Sequence, residues 1–270
     1  MLSNEGEKLT SVIVCTPQKE YTCVSNLKEH NITELADANL AILQHDKLKS
    51  KIRGFGCTVK DLPELENHPN SVFTRDTSLC TPDGYIKLRP GIESRLGEEK
   101  WMAQALDSME VPCAGEIKAP GTVEGGDVVL AGSVAFIGKT TRTNEEGIKQ
   151  LSIFLQRMNY EIRVIPLPDS TLHLDKALMT VDSKQILYCS DLVPQKYLSG
   201  FDTIEIETSN TTTANIICLG NKEVIANKSN QKVIQKLKDS ALIVHVLNLS
   251  EFVKGTGGPN CLIMPVERKD

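Results

Sequence analysis

Four apolar runs, each broken in the middle by a short polar turn, recur along the chain. They are LCTPDGYIKL (79–88), VVLAGSVAFIG (128–138), LMTVDSKQILY (178–188) and IICLGNKEVIA (216–226). Aliphatic and β-branched stretches flanking a tight turn predict β-hairpins. The turns centre near Asp83, Gly132, Asp182 and Gly220, at intervals of 38 to 50 residues. After each hairpin the period changes to that of a helix, at 98–109, 143–158, weakly at 193–199, and at 230–240. A further short strand then follows, at 111–115, 161–167, 203–207 and 242–249.

The pattern is therefore ββαβ, four times. A fifth copy assembles from both ends of the chain: strands 261–266 and 11–16, helix 33–53 and strand 57–62. A repeat that takes its last unit from both termini predicts a closed ring, because closure removes exposed sheet edges. The expectation is one α/β domain over 1–270, a five-bladed pseudo-symmetric α/β propeller built of ββαβ modules. Thr143 ahead of Asn144, Glu145 and Glu146, and Ser229 ahead of Asn230, are the expected starts of two helices.

Composition narrows the function. The 270 residues are 40% hydrophobic and 24% charged, which suits a packed core. A net charge of −5 gives no reason to expect nucleic acid or an acidic membrane as partner. The first ten residues, MLSNEGEKLT, carry no leader pattern, and no apolar run is long enough for a membrane helix, so a cytoplasmic location is expected. There the eight cysteines do not form a disulfide framework, and with no C-x-x-C pair and no histidine cluster zinc is unsupported. Cys15, Cys57, Cys80, Cys113, Cys189 and Cys218 lie in or beside apolar runs and read as small buried hydrophobes, while Cys23 is flanked by polar residues. Cys261 differs, standing behind the glycines of GTGGPNC, which would let backbone approach a ligand or serve as a mobile lid.

Ionisable residues precede the hairpins at matching offsets. Asp76 stands seven residues before Asp83, Glu124 eight before Gly132 and His173 nine before Asp182, and Cys261 opens the strand of the fifth module. Singly, each also fits a turn or a structural role, and Asp127 and Asp175 fit backbone hydrogen bonding in their turns. In a ring, equivalent positions face one central cavity, which brings a thiol, an imidazole and carboxylates together. That set points to covalent catalysis on a cationic carbon, with the thiolate as nucleophile and the histidine as acid and base. Carboxylates would oppose a developing oxyanion but match the N–H fork of a guanidinium. Arg95 and Arg142, downstream of the first two hairpins, would suit a substrate carboxylate or simply lie on the surface near helix starts.

FTRDTS, EGGDV, HLD and GTGGPNC, in this order, resemble the guanidino-group-modifying enzymes: arginine deiminases, arginine dihydrolases, dimethylarginine dimethylaminohydrolases, agmatine deiminases and amidinotransferases. The resemblance implies a five-bladed α/β propeller with attack by Cys261 through a covalent thiouronium. It implies acid–base work by His173 and a guanidinium grip by Glu124 and Asp76, shared by Asp175. Arg95 and Arg142 match positions that bind the substrate carboxylate, Asn70 a position near the α-amino group, and Asp127 belongs to the substrate-binding set. No metal or organic cofactor is implied. The partner is a small guanidino substrate, arginine or a methylated arginine, and the outer helices such as 143–158 offer a face for a homodimer.

Arg75-Asp76, Asn70 and Asp175 look like arginine deiminases and dihydrolases, whose unmethylated nitrogens can donate to Asp175. The compact chain with RPGIESR and TRTNEEG looks like dimethylargininases and the short dihydrolase domain. Hydrolysis of L-arginine to citrulline or onward to ornithine is the favoured reading, with dimethylarginine hydrolysis the alternative. Agmatine has no carboxylate for the two arginines, and amidinotransferases are usually longer. A propeller used only for binding is the non-enzymatic alternative, since the ribosome anti-association factor shares this fold.

Overall fold

The computed structural model describes residues 1–269. The chain starts on β1 (Lys8–Cys15), passes a short helix α1 (Lys19–Thr22) and α2 (Ala38–Gly54), and returns on β2 (Thr58–Leu62). Three units follow: β3 (Ser78–Thr81), β4 (Gly84–Lys87), α3 (Glu98–Asp107), β5 (Cys113–Glu116); β6 (Val128–Ala131), β7 (Val134–Lys139), α4 (Glu145–Arg157), β8 (Glu161–Pro166); and β9 (Leu178–Thr180), β10 (Gln185–Cys189), β11 (Asp202–Ile206). The last unit is β12 (Ile217–Gly220), β13 (Glu223–Asn227), α5 (Gln231–Asp239), β14 (Ile243–Leu247), before α6 (Ser250–Val253) and β15 (Met264–Lys269).

These strands form five three-stranded sheets: β3-β4-β5, β6-β7-β8, β9-β10-β11, β12-β13-β14 and β15-β1-β2. In each sheet the first pair is antiparallel and the second parallel, as in Leu79↔Ile86 followed by Tyr85↔Cys113. The last strand pairs antiparallel with the first, Val12 opposite Pro265, so both ends of the chain complete one blade. This is the five-bladed α/β propeller the repeat predicts.

Burial explains the hydrophobic pattern. The inner strands β3, β6 and β12 are buried at every position, because one face lines the ring and the other meets helices. The outer strands β2 and β14 alternate between exposed and half-buried. Cys113 begins an outer strand and is exposed, not buried as its apolar neighbours suggest; Cys23 is exposed too.

Other boundaries shift for local reasons. The expected helix at 193–199 is only a 3-10 turn, Gln195–Leu198, behind Pro194. Asn144, rather than Thr143, caps α4, its side chain accepting from the Gly147 amide. Ser229 does not cap α5; Asn230 is the first flanking residue, and its amide group instead donates to the Thr212 carbonyl at 2.8 Å.

At the hairpin-turn end of the ring the N-terminal segment closes the centre. The Glu5 amide donates to the Leu130 carbonyl and Asn4 Nδ2 to that of Ser183. Glu5 Oε1 receives Arg75 Nη2 at 2.7 Å, and Arg75 also donates to the Gly125 and Val128 carbonyls. Arg75 therefore points into the ring axis, away from its neighbour Asp76. The opposite end, where the inner strands begin, carries Asp76, Glu124, His173 and Cys261. No helix among the described residues is long and apolar enough to cross a membrane.

Candidate active site

Four of the five inner strands are preceded by a 3-10 turn of one kind: Thr74–Asp76 before β3, Gly125–Asp127 before β6, Leu174–Lys176 before β9 and Asn260–Leu262 before β15. Asp76 and Cys261 lie inside their turns, while Glu124 and His173 immediately precede theirs. Cys261 thus sits on a turn ahead of its strand, not at the first strand position. The offsets read from the sequence match because the turns repeat, and all four side chains are buried.

The four residues meet. His173 Nε2 lies 2.6 Å from Glu124 Oε2, and His173 Nδ1 lies 3.9 Å from Asp76 Oδ1 with no hydrogen bond. The glycines of EGGD allow this. A Cβ on Gly126 would lie 2.8 Å from His173 Nδ1 and 2.9 Å from Asp76 Oδ1, and one on Gly125 would lie 2.1 Å from the Arg75 carbonyl oxygen. The Gly126 amide itself donates to Asp76 Oδ1.

Burial opposes a charged imidazole at His173, but Asp76, the Glu124 hydrogen bond and Asp127 outweigh it and raise the group to about 9. Burial would likewise raise Glu124, yet its hydrogen bond and attraction to His173, with Arg142 and Arg95, hold it well below the usual carboxylate range. Asp76 is lowered against burial by His173 and Arg95. With these shifts the imidazole is protonated at neutral pH between carboxylates, an arrangement that can give a proton to a bound group.

Cys261 is reached from three elements. Lys176 Nζ stands 2.8 Å from its Sγ, Asn215 Nδ2 and the Gly258 amide 3.4 Å each, and Asp175 Oδ2 3.8 Å. Asn260 Nδ2 holds Asp175 Oδ2 at 3.0 Å, whereas Asp175 Oδ1 has no hydrogen bond. Burial and then Asp175 push the thiol up to about 11, with Lys176 pulling the other way.

The remaining expected residues divide. Arg95, Arg142 and Asn70 line the cavity with Asp76, His173 and Cys261. Arg95 is buried, not on the surface, and its guanidinium already donates to Asp76, to Glu98 and to the Asn70 and Phe73 carbonyls. Arg142 donates from Nη1 to Glu124, leaving the rest of its fork toward the cavity that it lines. Asn70 Nδ2 donates to the His30 carbonyl, and its Oδ1 is buried with no partner. Asp127, expected beside the substrate, instead braces the next turn by accepting from the Leu174 amide and the Thr140 hydroxyl.

The glycines before Cys261 have a second role besides bringing backbone to the cavity that Gly255 and Gly257 line. Cβ atoms at Gly257 and Gly258 would lie 2.2 Å from the Phe73 ring and 2.3 Å from Asn215 Oδ1, so these glycines admit protein side chains. Lys176 and Asn215 escaped the sequence reading. Lys176 follows HLD as an ordinary basic residue, and Asn215 stands two places before β12, where the fourth module's missing polar group belonged.

The cavity is small. Its volume is about 20 Å³, room for about one water, and Asn31, Phe73 and Gly255–Gly257 form part of its wall. Asn31 Nδ2 donates to Thr256 Oγ1 at 3.1 Å. Beyond lies a larger vestibule of about 620 Å³, lined by Asn31, Leu172, Lys176 and Thr256, which also line the small cavity, and by Asp169 and Thr208. Asp76, Glu124 and His173 bring ligand atoms within 4.8 Å of one another, a spacing a metal ion could use. Their oxygens already pair with Arg95, Arg142 and the imidazole, so we read them as a cation grip.

A five-bladed ring carrying a buried thiol, an imidazolium and carboxylates defines the guanidino-modifying pentein superfamily. Comparison with known proteins agrees. The family profile described as N,N dimethylarginine dimethylhydrolase, eukaryotic, matches residues 17–268. The N(G),N(G)-dimethylarginine dimethylaminohydrolase of Pseudomonas aeruginosa is 31% identical over 222 residues, covering 82% of this chain and 87% of that protein. The structure of a cysteine-to-serine variant of the enzyme from that organism, with citrulline, superposes with a TM-score of 0.84 at 28% identity, covering 95% of this chain and 99% of the other. The N-terminal domain of a cyanobacterial arginine dihydrolase shares the fold, with a TM-score of 0.84 at 18% identity over 97% of this chain and 98% of its own. The chain belongs to the dimethylarginine dimethylhydrolase family.

Proposed function

We propose that this protein is a cysteine-dependent hydrolase of guanidinium C–N bonds and that its substrate is free L-arginine, converted to citrulline and ammonia. Asp76 and Glu124 would take the guanidinium, and Arg142 the α-carboxylate, while Asn70 Oδ1, buried and unpaired, suits the α-ammonium. Cys261 Sγ adds to the guanidinium carbon. His173 gives its proton to the departing nitrogen, leaving an S-alkylthiouronium. A water, deprotonated by the now neutral His173, adds to the same carbon, and the C–S bond breaks to release citrulline and the thiolate.

The observation that carries the substrate is Asp175 Oδ1, a buried acceptor beside the nucleophile with no hydrogen bond and only Lys176 Nζ at 3.6 Å. An unmethylated guanidinium nitrogen can donate to it, and a dimethylated one cannot. The family match favours a second reading, asymmetric dimethylarginine giving citrulline and dimethylamine. Mass spectrometry of products from each substrate, with Cys261→Ser as blank, tests the choice. Consumption of arginine alone is expected; ornithine instead of citrulline would mean that a second C–N bond is cut. Dimethylamine from the methylated substrate, with arginine untouched, overturns the arginine assignment.

A further inference from the structure

Among the described residues, Lys176 is the one cation in contact with the nucleophile. It is buried, it follows Asp175 on the turn before β9, and its Nζ stands 2.8 Å from Cys261 Sγ and 3.6 Å from Asp175 Oδ1. The charges facing the thiol otherwise oppose its ionisation. Asp175 lies 3.8 Å away on the same turn as Lys176, and Asp76 adds its charge from the turn before β3. His173, Arg95 and Arg142 share the cavity, but each is already paired with Asp76 or Glu124. Asn215 Nδ2 and the Gly258 amide contribute only neutral donors, at 3.4 Å.

We infer that Lys176 is a catalytic residue that stabilises the Cys261 thiolate from within the protein, so that ionisation of the nucleophile does not depend on the substrate's cation alone. The thiol proton passes to solvent and Lys176 keeps its three protons throughout. Burial disfavours a charged lysine, but Asp175 and Cys261 outweigh that and raise it, so the ammonium persists wherever the enzyme works. An ammonium at contact distance from a buried thiol is a strong partner, because burial weakens the screening between them. Lys176 also lines the larger vestibule. Lys176 therefore borders both spaces, apart from the Asp76–His173–Glu124 set that would hold a guanidinium.

The inference rests on Cys261 being the nucleophile but not on which guanidino compound is cleaved, so its test uses no substrate. The full-length protein and its Lys176→Met and Lys176→Arg variants are alkylated with 2-chloroacetamide, which is neutral, and with 2-chloroacetamidine, its near-isosteric cation. The rate at Cys261 is followed by mass spectrometry against pH. In Lys176→Met the neutral reagent should slow more than tenfold at pH 7.5, with its midpoint moved up by about one unit or more. The cationic reagent, which brings its own charge, should slow less than threefold. Lys176→Arg should restore most of the neutral rate. Equal slowing of both reagents would mean that Lys176 only shapes the pocket, and an unchanged midpoint would mean that it exerts no charge effect; either result overturns the inference. Unfolding midpoints measured alongside separate misfolding from chemistry. Should Lys176→Met not fold, Lys176→Gln gives the same neutral comparison.

Discussion

Gly126 offers a demanding check on the site because it touches the catalytic groups without taking part in the reaction. In Gly126→Ala the new methyl would lie 2.8 Å from His173 Nδ1, 2.9 Å from His173 Cγ and 2.9 Å from Asp76 Oδ1. Ordinary contacts to carbon begin near 3.4 Å, so roughly half an ångström of overlap must be relieved. Neither neighbour is free to yield. His173 is held at 2.6 Å by Glu124, and Asp76 at 2.6 Å by Arg95 and at 3.0 Å by the Gly126 amide itself. Gly126 is not among the residues of positive φ, so alanine meets no backbone penalty, and the effect is purely one of displacement. A misplacement of about 1 Å can lower catalysis about 100-fold; half of that should lower kcat about 10- to 100-fold. Overpacking of this kind costs about 1–3 kcal/mol of stability. Steady-state ammonia release gives kcat and KM, urea unfolding gives stability, and alkylation of Cys261 by chloroacetamide serves as a reaction that needs no imidazole. The expected result is a large fall in kcat with alkylation little changed. A folded Gly126→Ala protein with kcat within twofold of wild type would show that the His173–Asp76 arrangement does not govern the reaction.

The other expectations are brief. With His173 raised to about 9 by its carboxylates against burial, kcat should fall as pH rises through about 9, and His173→Asn should abolish turnover and that limb together. Asp175→Asn should lower kcat/KM for arginine about tenfold or more, the scale of a lost charged hydrogen bond, and narrow any preference over dimethylarginine; equal loss on both substrates would count against the role given to Asp175. Arg75→Met leaves Glu5 buried without its 2.7 Å partner, so urea unfolding should show a loss of about 3–5 kcal/mol, reduced when Glu5→Gln is added. A bulky neutral thiol reagent should label Cys23 and Cys113 in the native protein, the two cysteines that are exposed, with the rest reacting only on unfolding.

The ring was legible because its inner strands are buried on both faces, so apolar runs such as VVLAGSVAFIG announce themselves without alternation. What stayed hidden follows the same physics. Cys113 sits among apolar neighbours, but its strand lies outermost in its sheet, and one-dimensional hydrophobicity does not report a strand's place in a sheet. Residues 193–199 read as a weak helix, yet Pro194 leaves only a single 3-10 turn. Asp76, Glu124, His173 and Cys261 could be grouped because they occupy equivalent turns. Asn215 could have been found by the same register, since its module lacked an ionisable group there. Lys176 and Asp175 are adjacent in sequence, and only coordinates show that both reach one sulfur. Arg75 is the reverse case: neighbouring Asp76 made it look like part of the substrate site, whereas a single step along the turn sends it to the ring axis and Glu5.

The pairing of β15 with β1 sets a time as well as a shape. During synthesis the first four hairpins can fold as they emerge, each on local contacts. The fifth blade cannot, because Val12 waits for Pro265, more than two hundred residues later. Cys261 lies just ahead of that last strand, and its neighbours Asp175, Lys176 and Asn215 come from blades made earlier. The pocket around the sulfur therefore cannot be complete until β15 has been made. Synthesis of β15 completes the proposed site, and a polypeptide cut short before Met264 should be inert rather than partly active.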